Sequence, residues 1–176
     1  MILKLKRTPG IYVVGFMGAG KSTVGRQLAG RMGWSFFDTD SEIEAAERCA
    51  ITELFATRGE AEFRRIESTI LKQHVRWIER GRPAVLSLGG GAYTIAANRE
   101  LLAENGITVW LDCPFETVKQ RVAQATHRPL ARDPEAFAAL YAARREHYAL
   151  ADVHVTVTSD DPEATVSAIL SHPTFR

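Results

Sequence analysis

The chain has 176 residues, 45% hydrophobic and 24% charged, with a net charge of +1. That length suits one globular domain over 1–176 with a buried core, and the near-zero charge excludes a bulk electrostatic attraction to nucleic acid or an anionic membrane. No apolar run reaches the roughly 18 to 20 residues of a membrane span, Met1–Arg7 leads into no signal core, and two cysteines without metal spacing point to a reducing cytoplasmic setting.

Apolar strand-like runs at Ile11–Val14, Ser35–Phe37, Ala84–Leu88, Ile107–Leu111 and Val153–Val157 alternate with helical patterns. This alternation predicts an α/β domain, a three-layer α/β/α sandwich on a parallel sheet. Helical stretches are expected after Lys21, Ser41, Glu60, Ala96, Pro114, Pro134 and Pro162. Ser41-Glu42-Ile43-Glu44 fits a capping box, and Pro114 and Pro134 suit first helical turns. In an open parallel sheet ligands gather beyond the carboxyl ends of the strands, so the residues after each strand are the ones to inspect.

The first strand runs into Gly15-Phe16-Met17-Gly18-Ala19-Gly20-Lys21-Ser22-Thr23, a Gly-x-x-x-x-Gly-Lys-Ser loop. Its glycines let successive N–H groups line one hollow, and the helix that follows adds the positive end of its dipole. Gly18, Ala19, Gly20, Lys21, Ser22 and Thr23 are therefore expected to cradle the phosphates of ATP, with Lys21 on the β and γ phosphates and Ser22 on Mg²⁺.

The second strand ends at Asp38-Thr39-Asp40. Asp38 is placed to support Mg²⁺, directly or through water, and Asp40 to take the proton of an attacking hydroxyl. A plain helix N-cap is the alternative reading of Asp40. Farther on, Phe63, Ile66, Ile70, Leu71 and Val75 recur at helical spacing, which puts Arg64 and Glu67 one turn apart on one face. This is either a surface ion pair or an arginine steadied by Glu67 that offers its planar fork to a substrate carboxylate, with Phe55 and Phe63 as pocket walls. Gly89, Gly90 and Gly91 follow the third strand and predict a close approach to the backbone, or a flexible loop.

The stretch Ala125–Arg132 has no clear period and reads as a mobile loop. Its Arg128 suits a stabiliser of charge on a transferring phosphoryl group. Arg121 suits stacking on an adenine, with Asp160-Asp161-Pro162 closing the other side or simply capping the last helix. Arg144, beside Arg145, lies on a helical run that ends at Tyr148.

In this order, GFMGAGKST, FFDTD, FATRGEAEFRRIE, LSLGGGA, HRPL and RREHYALAD resemble the shikimate kinase family over nearly the whole chain. The resemblance implies a P-loop kinase fold of nucleoside-monophosphate-kinase type, with strand order 2-3-1-4-5 and a mobile lid at roughly 123–134. It implies ATP-dependent phosphorylation of the 3-hydroxyl of shikimate, in the route to chorismate and the aromatic amino acids. One compact domain without an obvious interface stripe is expected to be a monomer, cytoplasmic and with no nucleic-acid or membrane partner. Lys21, Asp40 and Arg128 become the catalytic residues. Gly18 to Thr23, Arg121, Arg128 and Pro162 become the ATP site, and Asp40, Phe55, Phe63, Arg64, Gly89, Gly90, Gly91 and Arg144 the shikimate site. Ser22 and, through water, Asp38 become the Mg²⁺ site. Where many members carry Arg-x-Pro-Leu-Tyr, this chain has Arg144-Arg145-Glu146-His147-Tyr148. A gluconate or nucleotide kinase of the same fold, or a sensor domain that has lost transfer, are the alternatives.

Overall fold

The computed structural model describes residues 10–124 and 133–175. The segment from Ala125 to Arg132, with Arg128 and most of the expected lid, lies outside the described residues.

Five parallel strands, β1 (Gly10–Val14), β2 (Ser35–Asp38), β3 (Ala84–Ser87), β4 (Gly106–Asp112) and β5 (Val153–Thr156), form one sheet in the order β2-β3-β1-β4-β5. The central β1 is buried at every residue, as a parallel strand covered on both faces must be, and this explains its unbroken apolar run. The helices are α1 (Lys21–Met32), α2 (Thr39–Glu47), α3 (Ile51–Glu79), α4 (Ala96–Asn105), α5 (Phe115–Gln124), α6 (Pro134–Tyr148) and α7 (Pro162–Ser171). None of the described helices is long and apolar enough to cross a membrane.

Helix starts depart from expectation in two places. At α2 the cap is Asp38, not Ser41 and not Asp40. Asp38 keeps the extended backbone of β2, and its carboxylate accepts from the Ser41 N–H at 3.1 Å, so the helix begins at Thr39. The helix expected from Glu60 begins at Ile51 and is interrupted at Gly59, whose φ of 80° and ψ of 171° no side-chain-bearing residue adopts readily. Asp133 and Asp161 cap α6 and α7, each followed by a proline at the first helical position. Helix α6 runs unbroken through Glu146.

The main core lies around the sheet, while Ile43, Leu54, Phe63 and Ile66 form a second cluster between α2 and α3. That satellite core fixes the two helices that carry Asp40 and Arg64.

Candidate active site

The register of the sheet brings the first pieces together. Asp38 pairs with Ser87 across β2 and β3, and Ser87 pairs with Val13 across β3 and β1, so the loops after these three strands open side by side.

The loop after β1 turns on Gly18 (φ 80°) and Gly20 (φ 90°), left-handed conformations that favour glycine. Lys21 Nζ donates to the Phe16 carbonyl at 3.0 Å, and Arg121 Nη1 donates to the Gly18 carbonyl at 3.0 Å. The other Arg121 nitrogen holds Asp160 at 2.6 Å. Together they border a cleft of about 1030 Å³ lined by residues 18–24, Arg121, Asp160 and Pro162, ample for a nucleotide. Pro162 thus both starts α7 and lines the cleft. Asp161 takes the capping role expected of that turn, while Asp160 pairs with Arg121.

At one end of the cleft Ser22 Oγ donates to Asp38 Oδ2, and Ser87 Oγ lies 3.3 Å from Ser22 Oγ. This cluster of hard oxygens beside a phosphate cradle fits Mg²⁺. Ser87 is 2% exposed and is the polar exception in the apolar run Val85–Leu88, a signal that the sequence carried and that passed unread.

Beyond Ser87 the three glycines face polar side chains. A Cβ at Gly89 would stand 2.6 Å from Asp40 Oδ1 and 2.8 Å from Glu67 Oε1. At Gly90 it would stand 2.9 Å from Arg144 Nη1, and at Gly91 2.6 Å from Arg64 Nη1. None of the three has a positive φ, so space, not backbone conformation, is what demands glycine here. Four functional groups from α2, α3 and α6 converge on one turn. The Gly89 N–H donates to the Thr39 hydroxyl at 3.0 Å, which ties the turn to the start of α2. Thr39, 1% exposed between the two aspartates, is a residue that sequence reasoning missed.

Arg64 is no surface pair. Its Nη1 donates to Glu67 Oε2 at 2.7 Å, Nη2 lies 3.6 Å from the exposed Glu60, and the guanidinium covers the Phe63 ring at 5.1 Å. Glu67 is 1% exposed, and among the described residues its Oε1 has no hydrogen-bond partner. Burial raises the Glu67 carboxyl above the ordinary glutamate value, against the pull of Arg64 and with help from Asp40. Phe63 belongs to the second core, and the half-buried Phe55 packs against it with tilted rings and centroids 4.5 Å apart.

Arg144 and Arg145 part company. Arg144 lies beside Gly90 and over the Phe16 ring at 5.7 Å. Next to it, Tyr148 donates its hydroxyl to the Gly90 carbonyl at 2.5 Å, and burial pushes that phenol up to about 12. Arg145 turns the other way, to Asp112 at the end of β4.

A family model for shikimate kinase matches residues 17–173. The chain is 42% identical over 163 residues to a shikimate kinase of Paramagnetospirillum magneticum, spanning 91% of this chain and 82% of the relative. Against a Ruegeria pomeroyi shikimate kinase the identity is 46% over 148 residues, 82% of this chain and 74% of the relative. Among solved structures, shikimate kinase from Acinetobacter baumannii in complex with shikimate superposes with a TM-score of 0.84 at 36% identity, covering 92% of this chain and 90% of that one. A gluconokinase from Sinorhizobium meliloti, at 20% identity and a TM-score of 0.60 over 94% and 91% of the two chains, shares the fold alone.

Proposed function

The chain belongs to the shikimate kinase family and phosphorylates shikimate with ATP; we propose that the acceptor is the 3-hydroxyl and that the residues gathered on Gly89, Gly90 and Gly91 select and activate it. The observation that carries this reading is the convergence of one carboxylate, Asp40, and two arginines, Arg64 and Arg144, on that turn, next to a phosphate cradle. A ring acid with hydroxyls needs these groups, whereas a base or an uncharged sugar has no use for two guanidinium groups.

In this reading the backbone of residues 18–23 and Lys21 hold the phosphates of ATP, with Arg121 and Pro162 on either side of the adenine. Arg64 and Arg144 clamp the shikimate carboxylate, the first by a fork already oriented by Glu67. Phe55 and Phe63 wall the ring, and the Gly90 and Gly91 backbone lies against it. Asp40 accepts the proton of the attacking hydroxyl as the new bond to phosphorus forms. Arg128, outside the described residues, covers the charge on the transferring group. Ser22 and, through water, Asp38 would hold Mg²⁺, which supplies charge neutralisation on the phosphate oxygens when bound. Orientation matters because in-line displacement requires the hydroxyl to face the γ phosphate.

The two free cysteines, with Cys113 buried, support a reducing compartment such as the cytoplasm. Only Trp77 and Leu150 are exposed large apolar side chains among the described residues, and so sparse an apolar surface supports a monomer that meets only small molecules. The expected single domain over 1–176, with its lid at roughly 123–134, stays part of the proposal.

Initial rates of ADP release with shikimate, quinate, gluconate and nucleoside monophosphates test the reading, with the product's phosphorylated position read by ³¹P-coupled NMR. Shikimate is expected to be preferred by at least about a hundredfold in kcat/KM, since rejecting an analogue leaves buried polar groups unpaired. Equal turnover of another acceptor, or phosphate on another hydroxyl, contradicts it.

A further inference from the structure

Arg145 has no place in the clamp, yet it is the most elaborately held arginine of α6. Its Nη1 and Nη2 fork onto the two oxygens of Asp112, the second at 3.0 Å, and Nη1 also donates to the Tyr141 hydroxyl at 3.0 Å. Its guanidinium covers Trp110 at 4.9 Å. Between Phe137 and Tyr148 no residue of α6 is fully buried: Leu140 and the Tyr141 ring pack half-buried against the core, and directional polar contacts join them in holding the middle of the helix to the sheet. Those contacts are the Arg145 fork and the Tyr141 hydroxyl on the Cys113 carbonyl at 2.8 Å, both at the end of β4. Adjacent helical residues stand about 100° apart, so whatever fixes the direction of one fixes the other.

We propose that Arg145 is a positioning residue: its fork on Asp112 sets the rotation of α6 and thereby aims Arg144 at the glycine turn. The proposal rests on the reading that Arg144 grips the substrate carboxylate. Asp112 is not orphaned when Arg145 is lost, because His154 Nε2 lies 2.9 Å from it and the His154 ring stacks on Trp110 at 4.2 Å. The variant Arg145→Met, which keeps the stem over Trp110, is therefore expected to fold.

Steady-state kinetics of Arg145→Met, Asp112→Ala, their double mutant and Arg144→Ala test this. Arg145→Met is expected to raise KM for shikimate roughly three- to tenfold, the size of coupling between residues in contact, with kcat and KM for ATP within about twofold. Asp112→Ala should do the same, and the double mutant should be no worse than the poorer single variant. Arg145→Lys, which keeps the charge without the fork, should fall between wild type and Arg145→Met. An unchanged shikimate KM in Arg145→Met, beside a large rise in Arg144→Ala, overturns the brace alone. An unchanged KM in both variants overturns the clamp reading and the brace with it. Strictly additive effects, or equal rises in both substrates' KM, also overturn the brace.

Discussion

Glu67 holds Arg64 with one carboxylate oxygen and buries the other against Gly89 without a hydrogen bond from any described residue, a costly state for an ionised group. Its carboxyl is accordingly raised above the unfolded value of 4.5, so between that value and the raised one the folded chain holds a proton that the unfolded chain has released. This contribution to stability is complete below the unfolded value and is lost as pH rises through the folded one. Urea unfolding of wild type and Glu67→Gln over about pH 4 to 8 should show wild type losing stability relative to the variant as pH rises. A pH-independent difference would contradict this. Asp112 works in the opposite sense: burial favours its protonated form, but hydrogen bonds from Arg145 and His154 prevail and hold it below the usual range. Comparing two proteins that differ only at Glu67 removes that background. The pairing of Arg64 with Glu67 was legible from their spacing, since residues three apart lie about one turn along the same helix face. The unpaired oxygen was not, because the surface that buries it comes from a strand end more than twenty residues away. Nor does sequence say which of two neighbouring arginines faces the glycine turn, since helix rotation depends on tertiary contacts such as the one between Arg145 and Asp112.

Among the elements, α2 and α3 show how a local rule yields to a tertiary one. The capping box at Ser41 was a sound local pattern, but Asp38 ends an extended strand and reaches the Ser41 N–H first. The Asp-Thr-Asp run thereby divides its work: Asp38 caps and meets Ser22, Thr39 takes the Gly89 N–H, and Asp40 faces the glycine turn. Within α3, the break at Gly59 separates Ile51–Arg58 from the part that carries Arg64 and Glu67. A Cβ at Gly59 would meet no atom within 4 Å, so any penalty for a side chain there comes from the backbone alone. Gly59→Ala is expected to destabilise the protein by about 1 to 3 kcal/mol. Thermal unfolding should register this as a drop in Tm of several degrees, at roughly 2 to 4 °C per kcal/mol for a chain of this size. A Tm within one degree or so of wild type would mean that the break relaxes into continuous helix at no cost.

At the scale of the molecule, the alternation of apolar runs with helical patterns made the α/β class and all five strands legible, because a doubly covered parallel sheet requires both. Strand order was not legible from periodicity and followed from the family resemblance, as pairing is decided by contacts between distant segments. The loop after β1 was equally legible as a tight glycine turn into α1, since its spacing puts glycine at Gly18 and Gly20, where the backbone is left-handed. The proposed acceptor half draws on α2, α3, α6 and the glycine turn after β3, and only the ordered set of short motifs pointed to it. In the proposed site the two halves are separable, because Arg64 belongs to the acceptor side alone. Calorimetric titration of shikimate and of Mg²⁺–ATP into wild type and Arg64→Ala tests this most directly. Shikimate binding should weaken by about 2 to 4 kcal/mol, the cost of leaving a buried charge unpaired, while nucleotide affinity stays within about twofold. Unchanged shikimate affinity, or an equal loss for both ligands, would contradict it.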